Sequence, residues 1–121
     1  MFIYLSGDMT NEKSYENFEK AESWLKLQGH STINPMKVAE VLLDKMTEQQ
    51  RIEIIFTYIR ICDCIFMVDG WQKCEFAHKE LDYAKMINKE IMYQRHFKEF
   101  KKRKKEQQQN VYYETTTLQL D

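Results

Sequence analysis

Turn-forming residues are scarce in this chain, with three glycines and one proline among 121 residues. That excludes a collagen-like or linker-rich chain and a turn-dense all-β domain, and it favours long regular elements joined by few loops. No apolar run approaches the roughly 18 residues of a membrane-spanning helix. Three cysteines are too few for a disulfide scaffold. Cys62 and Cys64 form a C-x-C and Cys74 follows, but His30, His78 and His96 stand at no ligand spacing to them. Cys62 and Cys64 flank Asp63 at the start of an apolar run, so they read as small core residues, and neither a metal nor another cofactor is expected. The opening Met1-Phe2-Ile3-Tyr4-Leu5 runs straight into a strand-like segment with no basic stretch or cleavage site before it. The expectation is a cytoplasmic protein without a membrane contact.

What the chain does have is enough apolar residue, 43%, beside 31% charge, for one packed domain. The net charge of −1 is unevenly spread: residues 95–106 hold seven Lys or Arg against two Glu. That run, Lys98, Lys101, Lys102, Arg103, Lys104 and Lys105 among it, reads as a solvated helical arm. Its aromatic residues, Phe97 and Phe100, stand before the dense stretch Lys101–Lys105 and none interrupts that stretch, so nucleic acid is not the expected partner.

Periodicity gives the order of elements. Phe2–Leu5 is a short strand closed by Ser6-Gly7-Asp8. Ser14 to Gln28 is a helix, with Tyr15, Phe18, Ala21 and Leu25 at helical spacing and Gly29 at its stop. His30–Ile33 is a second strand, closed by Asn34-Pro35. Met36–Lys45 is a short helix or an irregular loop. Thr47 and Gln50 make a capping-box spacing for a helix to about Ile61. Asp63–Val68 is a third strand, apolar on both faces. Cys74–Asn88 is a helix and Glu90–Tyr93 a fourth strand. Strands separated by helical crossovers predict an α/β fold: a small Rossmann- or flavodoxin-like three-layer domain, with a parallel sheet of about four to five strands and helices on both faces. The domain is expected over residues 1–94, with a basic helical arm and polar tail over 95–121.

In such sheets ligands bind beyond the carboxyl ends of the strands. The loops Ser6–Lys13, Asn34–Lys37 and Asp69–Cys74 therefore matter most. Their candidate substrate-binding residues are Ser6, Gly7, Asp8, Met9, Asn34, Asp69, Gly70, Trp71 and Cys74. Glu80 is the most informative position. At about 100° per residue it falls inside the apolar band of its helix, with Phe76, Ala77, Leu81, Ala84 and Ile87. A carboxylate facing a sheet lines a cavity or finds a partner, because burying it alone is costly. The other reading is a Glu at the band's edge, paired with a Lys. Asp63 opens an apolar strand, where it serves a site or caps the preceding helix. Tyr4 is by itself an ordinary strand residue, and Asp69 and Gly70 have turn explanations.

Several segments together resemble a known family. Ile3-Tyr4-Leu5-Ser6-Gly7-Asp8-Met9-Thr10 is similar to the opening I-Y-x-[AS]-G-P-M-T of nucleoside 2-deoxyribosyltransferase-like proteins, especially small phage and bacterial members. Gly29-His30 with Asn34-Pro35, the run Cys62-Asp63 to Gly70-Trp71, and Ala77-His78-Lys79-Glu80-Leu81-Asp82-Tyr83-Ala84 resemble its later segments, in order over residues 2–93. The resemblance implies the deoxynucleoside N-glycosidase superfamily, which cleaves the N-glycosidic bond through a carboxylate nucleophile and a covalent deoxyribosyl-enzyme. It implies that Glu80 is the nucleophile, that Asp63 contacts or protonates the leaving base, and that Tyr4 hydrogen-bonds Glu80. It also implies a nucleoside or nucleoside 5′-monophosphate as ligand and a homodimer or higher homo-oligomer. The chain departs from the pattern at Cys74, often Ser there, at Phe76, often Gly, and at Asp8, usually Pro. These departures weigh against a 5′-phosphate substrate. They also leave room for an alternative, a catalytically inactive module that sequesters a nucleotide in the same pocket.

Overall fold

The computed structural model describes residues 1–42 and 45–97, the side chains of 39–42 excepted. Of the basic arm and tail expected over 95–121, residues 98–121 lie outside the described residues. Phe2–Ser6 forms β1, Ser14–Leu27 α1, Ser31–Ile33 β2, Pro35–Leu42 α2, Glu48–Ile61 α3, Cys64–Met67 β3, Glu75–Met86 α4 and Glu90–Tyr93 β4. All pairings are parallel and the sheet order is β2-β1-β3-β4. This is a small Rossmann-like α/β domain. The expected four to five strands are four among the described residues. No helix among these residues is long and apolar enough to cross a membrane.

The helix ends explain where the elements differ from their sequence-predicted bounds. Gly29 takes a left-handed φ of 91° after α1. Its N–H donates to the Lys26 carbonyl at 2.9 Å and that of His30 to Leu25 at 3.1 Å. This paired closure holds the His30 backbone on the helix, so β2 begins at Ser31 rather than His30. The same closure ends α4: Asn88, with φ 59°, donates to Lys85 and Lys89 donates to Ala84. The helix therefore stops short of Asn88. Asn34 accepts from the Met36 N–H at 3.0 Å, with Pro35 as first helical residue, and the segment left open between helix and loop becomes α2. The capping box of α3 forms as its spacing predicts, Thr47 and Gln50 bonding each other's backbone N–H.

Alternation along β1 sets the two faces. Ile3 and Leu5 join Cys64, Phe66 and Val68 against Phe18, Ala21 and Leu25 of α1. Tyr4 joins Ile65 and Met67 against Ile55 and Ile59 of α3 and Ala77, Leu81 and Ala84 of α4. Each large apolar side chain buried in this way contributes about 1.5–3 kcal/mol. The chain moves outward from β1 to β2, then crosses back to β3 and β4. The carboxyl ends of β1 and β3 therefore flank the point where the winding reverses, where doubly wound sheets hold ligands.

Candidate functional site

Glu80 lies in the second turn of α4 and is 3% exposed. Its carboxylate reaches back to β1. Tyr4 Oη donates to Oε2 at 2.5 Å and Ser6 Oγ donates to Oε1 at 2.7 Å. Tyr4 and Ser6 are themselves fully buried. They stand two residues apart on one strand, so both side chains leave the same face of the sheet. Burial pushes the Glu80 carboxyl up to about 7, against the opposing pull of the Tyr4 and Ser6 hydrogen bonds. The Tyr4 hydroxyl is held well above its ordinary value, first by burial and then by the charge of Glu80, so it remains a proton donor. The result is a desolvated carboxyl that ionises near neutrality, with a donor on each oxygen. Such a group serves as a nucleophile or as a general base.

The structure does not bring Asp63 to this cluster. Asp63 precedes β3 and is exposed; its carboxylate accepts from the Phe2 N–H at 2.8 Å, while its own N–H donates to the Phe2 carbonyl at 2.7 Å. Phe2 begins β1 and Ser6 ends it, about 13 Å apart at strand rise. Asp63 ties two strand starts together at the amino edge of the sheet, while the Glu80 cluster reaches its carboxyl edge. The register explains this, since Ile3 pairs with Cys64 and Asp63 falls opposite Phe2.

The remaining loop residues divide by role. Gly7 is buried, and a Cβ there would meet Val68 Cβ at 3.0 Å and Phe18 Cζ at 3.1 Å. Its lack of a side chain lets the strand end pass this close to the α1-side core. Gly7→Ala is expected to lower stability by about 1–3 kcal/mol, measured as a drop in the urea midpoint with unchanged slope. Asp8 shapes the following turn, accepting from the Thr10 N–H and hydroxyl at 2.8 and 2.6 Å and from Asn11 at 3.1 Å. The Thr10 bonds hold its carboxyl below the usual range. Met9 packs on the α1-side core. Asp8, Asp69 and Gly70, with Lys13 and Lys73, border a cleft of about 670 Å³. Its floor is Phe18 and Val68, so it opens on the α1 side, away from Glu80.

Gly70, with φ 93°, turns the chain into a single 3-10 turn over Trp71–Lys73. The Trp71 ring packs against His78 at 5.0 Å and Tyr93 at 5.9 Å between centroids. Trp71 is half-buried and packs on the core cluster that contains Tyr4. Cys74 caps α4 by backbone only and packs half-buried on the core cluster that contains Tyr4. The thiols of Cys62 and Cys64 are buried, and burial pushes them up to about 11 and about 12. Asn34 belongs to a second network. With Thr32 Oγ1 at 2.6 Å and Lys37 Nζ at 2.6 Å, its amide, at 3.3 Å, holds Glu22, which is 4% exposed. The sequence reading missed Glu22, although at 100° per residue it falls about 40° from Phe18, at the edge of the buried stripe of α1 with Ala21 and Leu25, the kind of signal that singled out Glu80.

A family model described as a domain of unknown function, DUF4406, matches residues 1–93. No curated protein matches the chain. Among solved structures, the chain is similar to a 2-deoxyribosyltransferase from the psychrotolerant bacterium Bacillus psychrosaccharolyticus, with a TM-score of 0.63 and 21% identity. The match covers 77% of this chain and 71% of that one. At this identity the likeness is one of fold.

Proposed function

The chain belongs to the DUF4406 family, and from that footing we propose that it breaks the N-glycosidic bond of a deoxynucleoside or its 5′-monophosphate, with Glu80 as nucleophile. The observation that carries this reading is the buried Glu80 carboxylate held by the hydroxyls of Tyr4 and Ser6 on β1. A fold shared with a 2-deoxyribosyltransferase supports it. One Glu80 oxygen attacks the anomeric carbon as the bond to the base breaks, and the bonding pair leaves with the base, which takes up a proton from solvent water. Water or a second base then attacks the same carbon and releases the carboxylate, giving hydrolysis or transfer. Charge builds on the sugar in an oxocarbenium-like transition state, and the adjacent carboxylate stabilises it. Tyr4 keeps its proton throughout and holds Glu80 in place. Asp63, tied to Phe2 at the other edge, is left out of the reaction.

Substrate must reach a carboxylate that is 3% exposed. Phe76 stands one turn before Glu80 on the same flank of α4, packed half-buried against the core cluster. Entry along this flank of α4 displaces Phe76. That closure favours a second reading, a module that binds a nucleotide in this pocket without turnover. Purified protein incubated with deoxynucleosides and their 5′-monophosphates, with free base followed by chromatography, separates the two. Base release is the expected result. Its absence at high protein concentration, alongside a thermal shift with the same compounds, would establish the binding module instead.

A further inference from the structure

Ser6 is a buried hydroxyl at the end of the apolar run Phe2-Ile3-Tyr4-Leu5, where an unbonded polar group is costly. Its position is rigid. Ser6 pairs with Met67 in the sheet, and its carbonyl accepts from the Val68 N–H at 2.7 Å. From that fixed backbone its hydroxyl meets Glu80 Oε1 at 2.7 Å, while Tyr4 holds Oε2. We propose that Ser6 is a positioning residue, the second jaw of a two-point clamp that fixes the plane of the Glu80 carboxylate and keeps it ionised for attack, rather than a residue that binds substrate. This rests on the proposed nucleophilic role of Glu80.

The chemistry of the clamp follows from its two contacts. A carboxylate held on one oxygen can swing about that bond; held on both, it cannot. Each oxygen has two acceptor sites, so both bonds leave a lone pair free for the sugar carbon. Orientation of this kind is a large part of what an enzyme contributes to rate. A hydroxyl donating to a carboxylate also favours its charged form, opposing the burial that disfavours it. The other titratable side chains of the same core cluster are thiols and phenols: Cys62, Tyr58 of α3, Cys74, Tyr83 of α4 and Tyr93 of β4. Among the described residues, Ser6 and Tyr4 are the two side chains that hydrogen-bond Glu80.

The test pairs Ser6→Ala with Ser6→Thr, which keeps a hydroxyl on a strand that suits a β-branched residue. Two quantities are measured: the pH profile of base release, and the titration of Glu80 followed by carboxyl infrared difference spectra against Glu80→Gln. Ser6→Ala is expected to lower kcat on the order of tenfold or more while KM changes little. It is also expected to move the acid limb of the profile and the Glu80 titration upward by about one pH unit. Ser6→Thr is expected to restore both; if its methyl unfolds the protein, the infrared titration of Ser6→Ala alone decides. A raised KM with an unmoved profile and titration would make Ser6 a substrate contact and overturn the clamp. If wild type releases no base but the Ser6→Ala titration still rises, the clamp stands and the proposed reaction fails.

Discussion

Replacing Glu80 with Gln is expected to abolish base release, by at least about 10³-fold, and to make the protein more resistant to heat above neutral pH. The two effects have one source. Burial raises the Glu80 carboxyl from its ordinary 4.5 to about 7, because loss of hydration outweighs the Tyr4 and Ser6 bonds. A group whose folded value is raised contributes its full stability below the unfolded value and loses it as pH rises through the folded one. Between about pH 4.5 and 7, ionising Glu80 therefore costs the fold about 3 kcal/mol. Gln carries no charge at any pH and escapes that loss. The melting-temperature difference, variant minus wild type, should rise with pH across that window, on the order of 10 °C in all. A difference flat in pH would mean that Glu80 does not titrate there. Base release surviving in the variant would remove Glu80 as nucleophile.

The same sign governs activity. A nucleophilic carboxylate works only when ionised, so kcat/KM should fall on the acid side around pH 7. The pH range in which Glu80 is reactive is the range in which it destabilises the fold, a common conflict between active-site function and stability.

How much of this could be read in the sequence depended on how local the signal was. The α3 capping box needs only Thr47 and Gln50, and both its residues and its bonds were legible. The parallel order of strands and helices followed from periodicity, and the inward face of Glu80 from its angle on α4. Asp63 was harder. Its local pattern, a charge opening an apolar strand, fits a catalytic residue as well as a strand tie. The choice depends on register with β1, which places it opposite Phe2 rather than near Ser6. Asn34 looked like a loop ligand because its partner, Glu22, lies twelve residues earlier on another element. Ser6 drew attention as a loop residue, yet its role depends on a contact 74 residues away. Distances of that kind are set by packing, which no local pattern encodes.

Glu22 should give the opposite pH response, and the two carboxylates together shape the stability of the whole domain. Glu22 is buried, but Lys37, Thr32 and Asn34 all donate to it, with Lys26 at 3.7 Å. Burial acts to raise its carboxyl, and the bonds led by Lys37 more than offset it, leaving it below the ordinary 4.5. A depressed group contributes stability above its unfolded value and loses it as pH falls through the folded one. Wild type should therefore lose the Glu22 contribution on acidification below about pH 4.5 and the Glu80 contribution on the alkaline side, with the combined optimum of the two near pH 4–5. Glu22→Gln keeps much of the shape but loses the charge-assisted bonds, so at pH 6 it should be less stable by about 1.5–3 kcal/mol. That deficit should shrink as the pH is lowered toward 3. Because α1 and α4 pack on opposite faces of the sheet, the effects of Glu22→Gln and Glu80→Gln should add in the double variant. Thermal melts of the four proteins from pH 3 to 8 test each step. A Glu22→Gln deficit constant with pH would mean that its charge does not titrate in the fold, and a non-additive double variant would mean that the two faces are coupled through β1.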